Sequence, residues 1–543
     1  MFSFGKASST SHNLHSAISE KSRVTIAIAG GGAGGVGAAL ELANAGYSVY
    51  LYEKKSELLS ATSNKTPGRA GHGYHYIHKK TAELYLSATI EVVKRYQGCL
   101  IGDGHPETHY LRHGLYCIMK QKSDLREDQA EFSSIYSKEQ ILENYEAIKE
   151  YYRFLVTQDP SNKVFGEPDD FHRILSATEM EQYRETINLD IVDAIIDTRE
   201  ELLNWPKLRK ILIDEINSHP NIRAHVNATI DHPRQQHNRV GFEFMVNGRL
   251  TQSDFFINAT WEGIENLNQK IYIHMQPESR TNRLKTIIKA KLPVETQHHP
   301  SVFFCMGPHA MISNMGDGTV MSTYAQVTNV SLSTELFISE KAQQCLDGVA
   351  NIEEEISMAN QIIDGVSHYF PKMRNARIIN KGYGIIKTRG TVDLFDPKSE
   401  VNKREELGVE EQLIGWIDNA CMKLLHFLLN GKEILDLIEK SIKAKNIIEH
   451  LSECSFFGIC FHNDQQIYAS AEPVVLVKIS ILKNVLLMTL QRYSSTSDYT
   501  LCDAETEVKS AEKIEKLRSS LFTAVKAKRE AMLLISSSRK FFI

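Results

Sequence analysis

The stretch VTIAIAGGGAGGVGAALELANAGYSVYLYEK, residues 24–54, decides the fold. It begins with a short apolar run, from Val24 to Ala29, that is typical of a buried strand. A glycine cluster comes next and is followed by a segment with helical spacing, which ends at Gly46. The apolar run YSVYLYE then ends at Glu53 and indicates a second strand. The stretch therefore predicts a strand, a tight turn, a helix and a second strand.

Gly30, Gly32 and Gly35 occupy the three glycine positions of a G-x-G-x-x-G turn. In such a turn the first glycine permits the bend, the second lets the backbone approach a pyrophosphate, and the third lets the helix pack closely on the strand. The helix N-terminus directs unpaired N–H groups at an anion. Glu53 follows about 20 residues later, where a carboxylate accepts hydrogen bonds from a ribose 2′-hydroxyl. The residues expected to contact a dinucleotide are Gly30, Gly31, Gly32, Ala33, Gly34, Gly35, Glu53 and Lys54. The spacing alone leaves open whether the dinucleotide is FAD or NAD.

Length, charge and cysteine content exclude several classes of protein. A chain of 543 residues is too long for one simple core, so we expect more than one domain. The net charge is −5 and no basic block is present, which disfavours a nucleic-acid partner. The eight cysteines form no C-x-x-C pair, so neither a zinc site nor a disulfide framework is indicated. Reduced thiols of this kind are typical of a cytoplasmic protein.

Two segments near the ends of the chain bear on membrane association. Residues 1–23 are polar and rich in serine and lack the apolar core of a signal peptide, so we expect a disordered tail. The apolar run VVLVKISILKNVLLMTL, residues 474–490, carries Lys478 and Lys483 and is too short and too charged to span a bilayer. The sequence therefore predicts no transmembrane segment.

Three further patterns predict local structure. Asn247 and Gly248 stand between alternating apolar residues, which favours a β-hairpin because a type I′ turn requires two residues with positive φ. A long helix follows Asp418, which is a suitable N-cap residue. Residues 503–535 predict a charged helix with an apolar stripe, which is expected to pack on the body of the protein or on a protein partner. The stripe consists of Ile514, Leu517, Leu521 and Val525.

Four segments give the chain a resemblance to a known family, and they match in the family's order. They are IAGGGAGGVGAALELANAGYSVYLYEK (28–54), SATSNKTPGRAGHGYHY (60–76), DTREELLNWPKLRKILIDEI (197–216) and NGRLTQSDFFINATW (247–261). In these segments the chain resembles FAD-dependent oxidoreductases of the D-amino-acid-oxidase (DAO) type, which include glycine and sarcosine oxidases and glycerol-3-phosphate dehydrogenase. The resemblance favours FAD over NAD, because the flavin fold interleaves its segments in this way.

The resemblance implies an α/β fold with a Rossmann-type FAD-binding domain that is built from discontinuous segments. A mixed α+β substrate domain is inserted into it, and a helical C-terminal extension follows. In this division the FAD-binding segments are residues 24–110, 191–265 and 376–444, the substrate-domain segments are residues 111–190 and 266–375, and the extension is residues 445–543.

Two of the matching segments imply further contacts with FAD. The loop that contains Arg69, Ala70, Gly71 and His72 is expected beside the pyrophosphate and the flavin ring. Arg69 suits a phosphate oxygen, because a guanidinium group donates two parallel hydrogen bonds. Some relatives attach FAD covalently through a histidine in this region, which makes His72 a candidate; alternatively, His72 only positions the ring. The strand that ends in NATW returns the chain to the flavin and places Ala259, Thr260 and Trp261 beside it.

His72, His75 and His78 also raise the question of a metal site. Their spacing within a glycine-rich loop is not accompanied by carboxylates that would support the ligands. We therefore expect no metal.

Candidates for substrate binding follow from the second half of the chain. The segment KGYGIIKTRGTVDLF resembles the family strand that carries a carboxylate-binding arginine, which implies this role for Arg389, with assistance from Tyr383 or Lys387. A carboxylate held at two points directs the substrate's α C–H bond at the flavin. His309 precedes a Gly-Asp-Gly turn and is a candidate for the wall of the substrate pocket.

The sequence therefore predicts an FAD-dependent oxidoreductase that oxidises the C–N bond of a small amine or amino acid, or the C–OH bond of a small hydroxy compound. The segment IGWIDNACMKLL lacks the glycine-rich G-x-x-G with which the family pattern closes. An alternative is therefore an FAD-binding scaffold with little turnover, which acts on a protein partner through residues 445–543. A third reading is a dehydrogenase that uses only NAD.

Overall fold

The computed structural model describes residues 21–453, except for residues 104–107, 237–240, 274–279, 390–402 and 422. The expectations for residues 1–20, for the apolar run 474–490 and for the apolar stripe of the last helix lie outside the described residues.

The chain divides into two units, residues 1–445 and residues 446–543. Of the second unit, residues 446–453 are described, as the end of a helix. In the first unit, Lys21 Nζ lies 2.7 Å from Glu439 Oε1. The described chain therefore makes its first contacts before residue 24, where the disordered tail was expected to end.

Eighteen β-strands lie in the described part of the chain. They are β1 (Thr25–Ala29), β2 (Ser48–Tyr52), β3 (Gly114–Met119), β4 (His172–Ile174), β5 (Val192–Thr198), β6 (Ile222–His225), β7 (Ile230–Gln235), β8 (Phe242–Val246), β9 (Arg249–Ser253), β10 (Phe255–Asn258), β11 (Arg280–Lys291), β12 (Ser301–Cys305), β13 (Ala310–Asn314), β14 (Thr319–Tyr324), β15 (Asn329–Ser333), β16 (Arg377–Arg389), β17 (Val409–Leu413) and β18 (Trp416–Asn419).

Ten α-helices accompany these strands within the described residues. They are α1 (Ala33–Asn44), α2 (Lys79–Arg95), α3 (Lys138–Gln158), α4 (Ala177–Glu181), α5 (Trp205–Ser218), α6 (Ile264–Lys270), α7 (Ala325–Thr328), α8 (Glu340–Asp347), α9 (Ile352–Ser367) and α10 (Phe427–Glu453). Not one of these helices has both the length and the apolar character that a membrane crossing requires.

The first sheet has six strands in the order β17–β18–β10–β1–β2–β6. β1 lies near its centre and runs parallel to both β2 and β10. β1, β10 and β18 are buried over almost their whole length, as expected for strands that are covered on both faces. The predicted strand, turn, helix and strand are confirmed, because α1 connects β1 to β2 and Glu53 directly follows β2.

The second sheet has nine strands, in the order β15–β11–β14–β13–β12–β3–β5–β4, with β16 paired to β11. Its core includes Ile362 and Val366 of α9, both completely buried. β5 and β16 belong to this sheet, although they fall in the expected FAD-binding segments 191–265 and 376–444. An apolar run indicates a buried strand but not the sheet that the strand joins, because its partner is distant in sequence. The division into domains otherwise stays a prediction.

The third sheet is small and contains the predicted hairpin. It has three strands, in the order β7–β8–β9. Asn247 and Gly248 connect β8 to β9 and have φ angles of 49° and 79°. Both angles are positive, as a type I′ turn requires, so the prediction from the Asn-Gly pair is confirmed.

The last described helix begins later than the sequence suggested. Asp418, the expected N-cap, lies instead in β18, where it is completely buried and accepts a hydrogen bond from Asn268 Nδ2 at 2.6 Å. After a 3₁₀ turn over Leu424–His426, α10 begins at Phe427. The expectation failed because an Asp before a helical pattern is equally suited to a buried hydrogen-bond network, and the network depends on β10 and α6 being neighbours.

Candidate active site

A cavity of about 770 Å³ is lined by residues of both large sheets. One end is formed by the turn after β1, by the end of β2 and by the start of α1. The inner end is formed by β11, β13, β14 and β16 and by the segment that precedes α10. This volume lies in the upper part of the range of roughly 300–1,000 Å³ for ligand pockets.

The turn after β1 is held against β10 by direct backbone contact. Gly30 has a φ of 104°, and a β-carbon on it would lie 2.4 Å from the carbonyl oxygen of Ala259. A β-carbon on Gly35 would lie 1.8 Å from the carbonyl oxygen of Gly30. Glycine is therefore required at both positions, the first for the turn and the second for close packing of α1. Gly30, Gly32, Ala33 and Gly34 line the cavity.

Glu53 directs its carboxylate at this turn. Its Oε2 accepts a hydrogen bond from the N–H of Gly31 at 2.7 Å, and its Oε1 accepts one from the N–H of Lys55 at 2.8 Å. Each carboxylate oxygen can accept a second hydrogen bond. Glu53 and Lys54 line the cavity, so this end combines a fixed carboxylate with an exposed glycine turn.

Two polar residues that sequence reasoning missed complete the first end. Ser63 Oγ accepts a hydrogen bond from the N–H of Ala33 at 3.1 Å, and Asn419 Nδ2 donates one to the carbonyl oxygen of Gly34 at 2.9 Å. Both line the cavity. Ser63 stands in the loop that the resemblance had pointed to, whereas Asn419 reaches the turn only because β18 pairs with β10.

Ala259, Thr260 and Trp261 all line the cavity, as the NATW segment suggested. Asn258, at the end of β10, accepts a hydrogen bond from Thr260 Oγ1 at 2.7 Å. Trp261 Nε1 donates to the carbonyl oxygen of Ile385 at 2.8 Å, which connects the first sheet to β16. These contacts fix the return of the chain beside the glycine turn.

Arg69 lines the cavity, but its charge already has a partner in the protein. Its guanidinium group lies 2.5 Å from Glu200 Oε1, also contacts Tyr116, and stacks 3.5 Å from the ring centroid of Phe303. Burial acts to lower the pKa of Arg69, but Glu200 and Tyr116 outweigh it and the pKa is raised. The expected pairing with a phosphate therefore competes with a buried carboxylate, which the sequence did not reveal.

His72 lies away from the cavity, contrary to expectation. It is completely buried, stacks on Phe171 with ring centroids 4.5 Å apart, and lies 4.2 Å from Phe165. Burial lowers the pKa of His72 to about 4. Covalent attachment of a ligand to His72 is therefore not supported, because this ring is buried among aromatic side chains and does not line the cavity; His75, three residues later, does line it.

Four other residues expected to contact the dinucleotide do not line the cavity. Gly31 uses its N–H for Glu53, and Gly35 packs inside α1. Ala70 is completely buried, and a β-carbon on Gly71 would lie 2.3 Å from the ring of Tyr85. These four residues therefore support the wall of the cavity but do not line it.

Two of the three catalytic candidates lie outside the cavity. Tyr383 is absent from its lining, and its hydroxyl group bonds to Glu355 of α9. His309 is 5% exposed, and its Nδ1 lies 3.1 Å from the hydroxyl group of Tyr369. Burial lowers the pKa of His309 to about 4. Both side chains therefore form hydrogen bonds inside the protein, away from the cavity, which argues against the expected catalytic roles.

Lys387, a further candidate on β16, does not line the cavity either. Lys387 is completely buried and forms an ion pair with Glu265. Arg389 is the last residue of β16, opposite Arg280, and its role stays a prediction.

The inner end of the cavity is cationic. Lys285 and Lys423 line it, together with Arg404, and Arg283 lies close behind. The pKa of Lys285 is lowered to about 7, first by burial and then by the charges of Arg283, Arg404 and Arg69. Within the part of the chain that the structure describes, Arg283, Lys285 and Lys423 form no ion pair with a carboxylate.

Sequence reasoning missed this group of cations. The available signal was the strand TNRLKTIIKAK, in which Arg283 and Lys285 stand two residues apart among apolar positions. Two cations on one face of an apolar strand are costly to bury without a counter-charge. Among residues 21–453, outside the gaps given above, no group of side chains is arranged to hold a metal ion.

The fold and the cavity define a class of protein. A parallel sheet with a glycine turn at the end of β1, combined with a second sheet that closes the cavity, is the arrangement of a two-domain dinucleotide-binding oxidoreductase. The sequence profile of the DAO family, described as FAD dependent oxidoreductase, matches residues 25–400. The chain therefore belongs to the DAO family and is an FAD-dependent enzyme, so the reading as an NAD-only dehydrogenase is wrong.

Solved structures show the same fold. Glycine oxidase from Geobacillus kaustophilus has a TM-score of 0.50 and 14% identity, and the match covers 76% of this chain and 94% of that one. L-amino acid deaminase from Proteus vulgaris has a TM-score of 0.52 and 11% identity, with coverage of 77% and 94%. At these identities the likeness concerns the fold alone. A comparison with curated protein sequences found no match.

Proposed function

We propose that the enzyme oxidises a C–N bond in a small amino acid or amine that carries a carboxylate. The observation behind this proposal is the cationic inner end of the cavity, where Lys285 and Lys423 line the wall. An anionic group bound there would stabilise these cations, which have no carboxylate partner among the described residues. A carboxylate held in this way orients the carbon next to it.

We assign the first end of the cavity to FAD, because its residues suit that group. Gly30, Gly32 and Gly34 leave room for a pyrophosphate beside the N-terminus of α1, and Glu53 offers acceptors for a ribose. Ser63 and Asn419 fix the turn on its other side. Ala259, Thr260 and Trp261 extend the wall toward the inner end.

The protein's share of the reaction is binding, orientation and exclusion of water. Bound FAD supplies the redox chemistry by accepting a hydride from the substrate. Lys285 in the wall, with Arg283 behind it, fixes the substrate's carboxylate, while Tyr76, Tyr85 and Met311 form the less polar wall beside Lys285. No acid–base pair is required of the protein, because an uncharged amine that gives up a hydride becomes an iminium ion, which releases its N–H proton to water.

The experiment uses the purified holoprotein under anaerobic conditions and follows the visible absorbance of its flavin. Amino acids, the matching 2-hydroxy acids and the matching amino acid amides are mixed with it in turn. We expect an amino acid to bleach the flavin and its amide, which lacks the carboxylate, to do so at least about tenfold more slowly.

Two outcomes contradict the proposal. Bleaching by a hydroxy acid alone would assign the enzyme to C–OH oxidation, since such an acid offers the same carboxylate. Equal rates with the acid and its amide would remove the role of the cations. A protein partner for residues 445–543 and a cytoplasmic location stay predictions, and nothing in the described residues favours the scaffold alternative.

A further inference from the structure

We propose, building on the function above, that the substrate carries two carboxylates, as in a dicarboxylic amino or imino acid. Among the described residues, the inner end of the cavity offers more cationic side chains than one carboxylate and one reduced flavin require. Arg283 and Lys285 of β11 together hold the two carboxylates.

Arg283 and Lys285 project from the same face of β11. They are two residues apart, and their partners on β16 are Ile386 and Gly384, which both line the cavity. Leu284, between them, packs with Tyr383 and Ile385. The strand therefore places Arg283 next to Lys285, which lines the cavity.

Arg283 is buried and has no carboxylate partner in the described part of the chain. Arg283 is only 6% exposed, and its Nε has no hydrogen-bond partner among the described residues. A guanidinium group stays protonated even when buried, so the charge persists. An unpaired buried cation is strongly unfavourable, and a carboxylate that accepts two of its hydrogen bonds removes the cost. An orphaned donor of this kind, close behind a wall lined by Lys285, supports an anionic ligand.

Lys423 forms a separate point of positive charge. It follows Cys421, whose β-carbon lies 2.8 Å from where a β-carbon on Gly34 would stand, so its segment borders the glycine turn. Its Nζ lies 4.8 Å from the ring centroid of Tyr76 and 5.5 Å from that of Tyr85. Lys423 is thus placed on the FAD side of the inner end, where one cation suits a flavin that becomes anionic on reduction.

The carboxylates that line the cavity do not neutralise these cations. Within the described residues they are Glu53 and Glu262, and both belong to the first end. Glu53 accepts two backbone hydrogen bonds, and Glu262 lies 3.5 Å from Lys54. Glu200, outside the lining, is engaged by Arg69. With Lys423 assigned to the flavin, Arg283 and Lys285 remain available to the substrate.

The first test compares anions that cannot react. Malonate and acetate are titrated into the holoprotein, and binding is read from the change in the flavin absorption spectrum. We expect malonate to bind about tenfold or more tightly than acetate, because it adds one charge-assisted contact. Flavin reduction is then compared for aspartate and asparagine, in both enantiomers, and for iminodiacetate and N-methylglycine. The dianionic member of each pair should reduce the flavin at least about tenfold more efficiently.

Variants connect the preference to β11. Arg283→Gln and Lys285→Gln should each reduce the malonate-to-acetate ratio to about threefold or less. Arg283→Lys keeps the charge and retains part of the ratio, which supplies a folded comparison. Lys289→Gln is the matched control, because Lys289 is on the same strand but lies 3.7 Å from Asp317, outside the cavity. It should leave the ratio unchanged.

The outcomes separate this inference from the proposed function. Equal binding of malonate and acetate, or a ratio that survives Arg283→Gln and Lys285→Gln, overturns the two-carboxylate site even when an amino acid reduces the flavin. Preferential binding of malonate that depends on both residues supports the site even when no amino acid reduces the flavin, in which case the proposal of C–N oxidation fails instead.

Discussion

Gly30 and Ala259 touch through their backbones, so that a β-carbon on Gly30 would stand 2.4 Å from the carbonyl oxygen of Ala259. This contact joins the turn after β1 to the end of β10, and the two segments are more than two hundred residues apart in the sequence. The glycine is needed both for a φ of 104° and for the approach of the second segment. The first end of the cavity exists only when both conditions are met.

Gly30→Ala should therefore disrupt the proposed FAD site. The flavin content of the purified protein is expected to fall to about a tenth or less, because the turn must move away from Ala259. The ratio of flavin to protein absorbance measures this. Gly348→Ala is the control, since Gly348 also has a positive φ, of 74°, but its β-carbon would meet no atom within 4 Å. It should cost about 1 kcal/mol in stability and retain the flavin.

Glu53→Gln should weaken binding of FAD. The carboxylate accepts hydrogen bonds from the N–H groups of Gly31 and Lys55, and an amide has only one oxygen to offer them. We expect the Kd of the apoprotein for FAD to rise about tenfold, measured by quenching of flavin fluorescence. Glu57→Gln removes a carboxylate nearby that pairs with Arg209 on the surface, and an equal effect there would contradict the assignment.

The ion pair of Arg69 and Glu200 should be important for folding. Glu200 Oε1 lies 2.5 Å from the guanidinium group, and both residues are largely shielded from water. Glu200→Gln leaves Arg69 buried without a counter-charge, so the free energy of unfolding should fall by about 3–5 kcal/mol. Denaturant unfolding measures this change. Glu167→Gln, which breaks the exposed pair with Lys163, is expected to cost less than about 1 kcal/mol.

Lys285 should make anion binding dependent on pH. Its pKa is lowered to about 7, first by burial and then by neighbouring cations, so the amine is charged below pH 7 and neutral above it. The Kd of the holoprotein for malonate should therefore rise about tenfold between pH 6.5 and 8.5. Lys285→Gln should flatten this profile. The titratable and charged groups that face Lys285 are Arg69, His75, Arg283, Arg404 and Lys423.

The same lowered pKa affects folding in the opposite direction. A lysine has a pKa near 10.5 in the unfolded chain, so between pH 7 and 10.5 the unfolded state binds more protons than the folded state. The free energy of unfolding of the parent protein should therefore increase as the pH rises from 7 to 10.5, because Lys285 is then neutral in the folded state. Below pH 7 Lys285 is charged and buried, and its destabilising effect is greatest. If the free energy of unfolding of Lys285→Gln depends on pH in the same way as that of the parent protein, the lowered pKa is contradicted.

Tyr383→Phe should leave catalysis nearly unchanged. The hydroxyl group bonds to Glu355 and the residue does not line the cavity, so kcat and KM should stay within about twofold of the parent protein. The free energy of unfolding should fall by about 1 kcal/mol through the lost hydrogen bond. Steady-state kinetics and denaturant unfolding of the same preparation separate the two effects. A large rise in KM would restore Tyr383 to the substrate site.

The sequence by itself determined the elements whose causes are local. The glycine turn at Gly30, the strand that ends before Glu53 and the hairpin at Asn247 depend on backbone freedom and on the spacing of apolar residues within a few positions. The segments that match the DAO family extended this to the cofactor. Each of these features can be deduced from a short window, because the physical requirement lies inside that window.

The tertiary structure decided everything that depends on a distant partner. It placed β5 and β16 in the second sheet, enclosed His72 in aromatic rings, turned Tyr383 and His309 away from the cavity, and paired Arg69 with Glu200. It also placed Lys285 in the wall of the cavity, with Arg283 two residues away on the same strand. A strand's sequence alternates between two faces, but only its neighbours decide which face meets the cavity and which charges find a partner.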